Sequence, residues 1–246
     1  PKTMKPPFGS VQINWAHPLA KNLKRVILCT EGWGPARDLV SPSIIYVGGT
    51  GSSWLVGSNG RQIKSDGTLA GTWNDTVGLN ELLDGSGGPF TIVAGLQIDN
   101  TAQTNTYFYS IARGTKEVNL IYGYVANTME FYTAGYTGSN PRTGSGISIS
   151  DTRRHLIGYR YTGQSGEWAK WLDGVKTVIS SSIAFTLPSG FIKQSAFFSS
   201  LGISNPCNAR CEFLYIGESG LDVGWLHAEP YAFLQPIPAV TYAFMR

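Results

Sequence analysis

The chain has 246 residues, of which 42% are apolar and 14% charged, with a formal net charge of +3. That apolar share excludes a disordered polymer, and no apolar run approaches the roughly 18 residues of a membrane span. The mild positive charge is densest at Lys21, Lys24 and Arg25 and again at Arg153 and Arg154; no groove-reading motif accompanies it, so nucleic acid is not an expected partner.

Residues 1–12 read as an extended arm, because Pro6-Pro7 cannot donate fully to a sheet. The N-terminus has no apolar h-region, so synthesis in the cytoplasm without a signal peptide is expected. A single domain then covers 13–234, a length that β-sandwiches reach as one unit. Val11, Ile13 and Trp15 alternate as a half-buried strand. Residues 41–88 are broken by turn signals (GGTGSS, SNG, SDG, DGSGG), with short strands expected at 44–47, 53–56 and 70–77. From Phe90 the signal is strong: Phe90, Ile92, Ala94, Leu96 and Ile98 share one strand face. Strands are expected at 107–113, 118–126, 129–136 and 155–162. Residues 167–179 then form a hairpin turning at Asp173-Gly174, a pair suited to the two positive φ angles of a type I′ turn. Strands at 196–203 and 212–217 precede one short helix at 219–228, with Ser219 as N-cap and Leu221, Trp225 and Leu226 facing inward. Residues 235–246 form an apolar tail in which Pro236 and Pro238 prevent a helix. The pattern is all-β: a two-sheet antiparallel jelly-roll sandwich with one short C-terminal helix.

Two end segments carry a family resemblance. Ile13-Asn14-Trp15-Ala16-His17-Pro18-Leu19-Ala20, Leu23, Glu31-Gly32 and Arg37-Asp38-Leu39-Val40 open the chain. Glu212-Phe213-Leu214-Tyr215-Ile216, Leu221 and Trp225 through Phe233 close it. With Phe90-Thr91-Ile92 and Trp171-Leu172-Asp173-Gly174-Val175 between them, the ordered set resembles phage-encoded laminin-G-like, concanavalin A-like proteins. The resemblance implies a curved two-sheet jelly roll, carbohydrate or protein binding more often than catalysis, and a place among virion proteins. It departs from the pattern at 41–88.

Catalytic motifs are not evident in the sequence. The laminarinase type carries Glu-x-Asp-x-x-Glu, which sets two carboxylates about 5–5.5 Å apart; this run does not occur. Glu212 and Glu218 share strand parity but would stand roughly 20 Å apart, and Glu81 and Asp84 fall among turns. His17, His155 and His227 each read as hydrogen-bonded structural residues. Cys207 and Cys211 read as free loop thiols, with a local disulfide as the alternative. Calcium is the one cofactor left open. Laminin-G and pentraxin relatives bind it at a sheet rim, and Asp75, Asp84, Asp99 and Asp151 are loop candidates, although turn formation explains each as well. Of 7 Trp, Trp33, Trp54 and Trp73 lie in Gly-rich stretches and are the candidate ligand-binding residues. Trp15 and Trp225 are expected in the core. Trp168 and Trp171 have opposite parity, so at most one should face it.

These readings combine into an expected function: a non-enzymatic bacteriophage virion protein, a capsid decoration protein or a head or tail fibre, with glycan binding. The alternatives are a carbohydrate-binding module and a laminarinase-type glycosidase. Expected partners are the major capsid or other virion proteins, host or environmental glycans and a second copy of the chain. No membrane is expected as a partner, and the expected location is the virion.

Overall fold

The computed structural model describes residues 10–29, 36–40, 44–45, 52–57, 60–67, 71–73, 89–113, 116–134, 144–163, 167–180, 192–197 and 205–237. In chain order the strands are β1 (Val11–Ile13), β2 (Leu23–Leu28), β3 (Ala36–Asp38), β4 (Ile44–Ile45), β5 (Ser52–Gly57), β6 (Gly60–Asp66), β7 (Gly71–Trp73), β8 (Phe90–Ile98) and β9 (Thr106–Arg113). They continue with β10 (Lys116–Tyr122), β11 (Thr128–Ala134), β12 (Ile147–Ser148), β13 (Arg154–Tyr161), β14 (Trp168–Leu172), β15 (Val175–Ser180), β16 (Ile192–Phe197) and β17 (Asn208–Gly217). A 3₁₀ turn at Pro18–Asn22 precedes β2, and the helix α1 (Val223–Ala228) precedes β18 (Leu234–Pro236).

The strands form an antiparallel two-sheet sandwich. One sheet runs β12-β11-β10-β9-β16-β7; the other runs β15-β14-β13-β8-β17-β2-β3-β4, with the β5–β6 hairpin joined through β6 to β17. β17 spans two neighbours on one side: Phe213–Gly217 pairs with β2, and Asn208–Cys211 pairs with β6. Against β8 its register shifts between Cys211 and Phe213, a bulge that admits the buried Glu212.

Two apolar layers hold this arrangement. Between the sheets, Phe90, Ile92, Ala94, Leu96 and Ile98 meet Phe108, Leu120, Tyr122 and Phe131. On the other face of the larger sheet, Val93, Leu156, Trp171, Phe213 and Tyr215 are covered by Ile13, Leu19, Leu221, Val223, Leu226, Tyr231 and Phe233. The chain's two end segments are therefore a lid over that sheet. Trp168 packs in the first layer and Trp171 in the second, so both are core, which corrects the expectation of one. Tyr215 ties the lid down: its hydroxyl donates to Pro230 O at 3.0 Å, and its ring meets Phe233 edge-on.

Several boundaries differ from the sequence reading. β6 occupies a stretch whose SNG and SDG signals predict turn, and the strand expected at 196–203 starts at Ile192. The helix begins at Val223, capped by Asp222 rather than Ser219. The expected turn is present, with φ of 49° at Asp173 and 85° at Gly174. β1 pairs with β18, Val11 opposite Pro236. Asp38 on β3 forms a fully enclosed ion pair with Arg25 on β2 at 2.9 Å, both side chains 1% exposed. Asp38 Oδ1 also accepts from Val26 N and Val40 N.

Candidate functional site

β1 ends at Ile13, and the next four residues turn outward. Asn14 N donates to Phe233 O, and Asn14 Oδ1 accepts from Ala16 N. His17 caps the 3₁₀ turn: its Nδ1 accepts from Leu19 N at 3.2 Å, and Pro18 follows at the first helical position, where its missing N–H costs nothing. Leu19 and Ala20 are buried by this turn, while Trp15 is left 54% exposed. On α1, Val223 and Leu226 point into the lid core, and Trp225, about 200° round from Val223, points away at 36% exposed. The Trp225 ring lies against the His17 ring at 5.0 Å and 53°. Trp15 and Trp225 are thus surface residues, correcting their expected place in the core. Backbone hydrogen bonds fix Trp225 at both ends of α1: its N–H donates to Asp222 Oδ1 at 2.9 Å, and its carbonyl accepts from Glu229 N. A tilted, partly exposed aromatic pair held in this way is the kind of surface on which a sugar's C–H face stacks.

A second cluster lies at the β14–β15 turn. His155 Nδ1 faces Asp173 Oδ2 at 2.7 Å, and its Nε2 faces Asp151 Oδ1 at 3.0 Å. Asp173 Oδ1 accepts from Leu156 N. Hydrogen bonds from the Arg153 side chain and backbone, and then from His155, hold the Asp151 carboxyl well below the usual carboxylate range. On the lid side, Arg154 binds Glu212 at 2.7 Å, and Gln62 donates to the other Glu212 oxygen at 2.8 Å. The His227 ring packs on Gly174: a methyl group built there would sit 2.5 Å from His227 Cδ2. Burial pushes the His227 imidazole below its ordinary value; Asp173 opposes this and Arg154 adds to it.

The sequence candidates are spread over the fold. Trp33, Asp75 and Asp84 lie outside the described residues, as does Glu81. Trp54 and Trp73 lie on β5 and β7, with only their backbones described. Asp99 accepts from Arg210 at 2.9 Å and from Gln97, with Lys64 at 3.6 Å. Asp99 and Asp151 are therefore both turned to cations. Among the described residues no group of three or more His, Cys, Asp or Glu side chains could hold a metal ion. Among the described residues Cys29, Cys207 and Cys211 form no disulfide and are buried, with Cys211 inside β17 rather than in a loop; burial pushes the Cys207 thiol up to about 12.

No protein-family model matches the chain, and no curated protein matches it. Solved structures do share the fold. Domain 4 of AbnA, a GH43 extracellular arabinanase from Geobacillus stearothermophilus, in complex with arabinotriose, is similar at a TM-score of 0.62 and 14% identity, over 84% of this chain and 98% of that one. Trypanosoma rangeli sialidase is similar at 0.58 and 11%, over 84% of this chain but only 32% of the sialidase. The binding domain of Paraclostridial Mosquitocidal Protein 1 is similar at 0.58 and 14%, over 85% and 52%. At these identities the likeness shows the fold. The expectation that the chain is not an enzyme is overturned: chains of a sialidase and of an arabinanase carry this fold, and missing motifs are no ground for excluding catalysis.

Proposed function

We propose that this chain is a glycan-binding β-sandwich whose binding surface is Trp15, His17 and Trp225. The observation that carries the reading is the exposed Trp225–His17 ring pair at 5.0 Å, fixed by a capped helix on one side and a capped 3₁₀ turn on the other. Pre-ordered aromatic rings supply stacking area without an ordering cost at the moment of binding. Neighbours whose structures hold arabinotriose or sialic acid support the glycan reading. The finer reading is a bacteriophage virion component, as capsid decoration or as a head or tail fibre, with the major capsid or other virion proteins and host or environmental glycans as partners. The resemblance of residues 13–20 and 212–233 supports it, and these segments build the lid that carries the aromatic surface.

Titration calorimetry with arabinotriose and with sialic acid, followed by a glycan array, tests the proposal. Binding is expected, and Trp225→Ala should weaken it by about threefold to tenfold, the worth of one aromatic contact. Unchanged affinity in both Trp225→Ala and Trp15→Ala, or no bound glycan at all, overturns it. Repeating the titration with calcium and with a chelator reads calcium dependence, and reducing-end release from the bound glycan reads turnover. Co-sedimentation with purified particles tests the virion placement.

A further inference from the structure

The lid helix rests on two glycines, one in the sheet beneath it and one in the β14–β15 turn. Gly158 of β13 lies under Val223, where a methyl group would meet Val223 Cγ1 at 2.8 Å, and Gly174 lies under His227. α1 has six residues, too few to hold its own position by helical hydrogen bonds. Its seat is set by side chains. Leu226 and Val223 anchor the inner face, and the His227 ring fills the remaining contact at the β14–β15 turn. Trp225 stands two residues from His227 on the same short helix.

We propose that His227 is the positioning residue of the Trp225 surface and that it makes glycan binding acid-sensitive; the proposal rests on the glycan reading above. His227 Nδ1 is buried and has no hydrogen-bond partner among the described residues. As a lone pair it is tolerated there, but as an N–H donor it would be a buried polar group without an acceptor. The groups facing the ring offer little to a cation. Arg154 of β13 carries like charge, and its own partner is Glu212. Among the described residues Asp173 at the β14–β15 turn is the carboxylate that faces it, and its two oxygens are already engaged by Leu156 N and His155 Nδ1. Burial lowers the affinity of His227 for a proton in the same sense. Acidification therefore drives the ring off Gly174 and releases the C-terminal turn of α1, so Trp225 loses its fixed geometry against His17. Apparent affinity falls with the fraction of molecules whose platform is intact.

Two readouts on the full chain test this. One is the indole N–H signal of Trp225 by NMR, identified with Trp225→Phe; the other is affinity for arabinotriose or sialic acid between pH 7.5 and 5. The wild type should show a shift of the Trp225 signal and a loss of affinity of about threefold or more, both centred below the ordinary histidine value of about 6.5. His227→Gln should flatten both profiles, whereas His17→Gln should leave the acid-induced shift of Trp225 in place. A flat Trp225 profile in the wild type, or one that persists in His227→Gln, overturns the proposal. If the signal titrates through His227 while neither sugar binds, the positioning role stands and the glycan reading fails. If sugar binds with no pH dependence, the reverse holds.

Discussion

Replacing Gly174 by alanine separates two costs that the turn combines. The residue sits at φ 85°, and an L side chain there carries about 1–2 kcal/mol of strain. Its new methyl would also lie 2.5 Å from His227 Cδ2 and 2.8 Å from Nε2. The ring must move, with a further cost of about 1–3 kcal/mol if overpacking of a well-filled site is the guide. Gly174→Ala should therefore lose about 2–5 kcal/mol in the wild-type background. In a His227→Ala background only the strain remains, about 1–2 kcal/mol. Chemical denaturation of the four proteins closes the cycle, and the coupling energy between the sites should be about 1–3 kcal/mol. For a chain of this size each kcal/mol moves the melting temperature by about 2–4 °C, so calorimetry resolves the difference. An equal loss in both backgrounds would show that the ring does not press on the turn. No loss in either would refute the type I′ geometry itself.

Three other outcomes follow from the packing. Asp38→Asn should cost about 3–5 kcal/mol in urea unfolding, because it leaves the Arg25 guanidinium enclosed beside a neutral amide; a loss below 1 kcal/mol would mean the pair is not sealed from water. Gly95→Val should destabilise by about 1–3 kcal/mol, since a Cβ there meets the Phe213 ring at 2.7 Å; an unchanged urea midpoint would place Phe213 elsewhere. His227 holds a folded-state value below its unfolded one, so below about 6.5 the unfolded chain binds the extra proton first. Its contribution is complete above that pH and lost as pH falls through the lowered folded value. The urea midpoint of wild type should drop over that window relative to His227→Gln, and parallel pH profiles would refute the assignment.

How much of this could be read in the sequence depends on where each signal came from. β8 and the Asp173-Gly174 hairpin were legible because period-two alternation and a positive-φ pair are local properties. β6 was not: Arg61, Gln62, Lys64 and Ser65 read as polar turn, yet Gln62 and Ser65 are buried in the sheet and Gln62 is held by Glu212 from β17. That partner is 150 positions away, beyond any local pattern. Alternation with Val11 and Ile13 points Trp15 inward, and the helix face shared with Leu221 and Leu226 does the same for Trp225, but neither pattern shows that the larger sheet has a second covered face. The missed clue was Phe90–Ile98, an almost unbroken apolar run of the kind found in strands covered on both faces. A second covered face requires a lid, and a lid has an outer surface of its own. Glycine content singles out Trp33, Trp54 and Trp73, but it marks turns rather than exposure.

The pairing of β1 with β18 also sets how the molecule answers a pull. Ile237 N donates to Ser10 O, and the register then runs Val11 to Pro236, Gln12 to Gln235 and Ile13 to Leu234. Tension applied at residues 10 and 237 therefore loads these bonds one after another, like a zipper, instead of sharing the load across them as shear would. The first structure to yield is the edge of the lid. As it peels, Ile13, Phe233 and Leu234 leave the apolar layer, and Asn14 loses its bond to Phe233, so the turn that presents Trp15 goes with it. The sandwich beneath bears no load until that strip is gone. Force at the two ends would thus disable the aromatic surface well before it unfolds the domain.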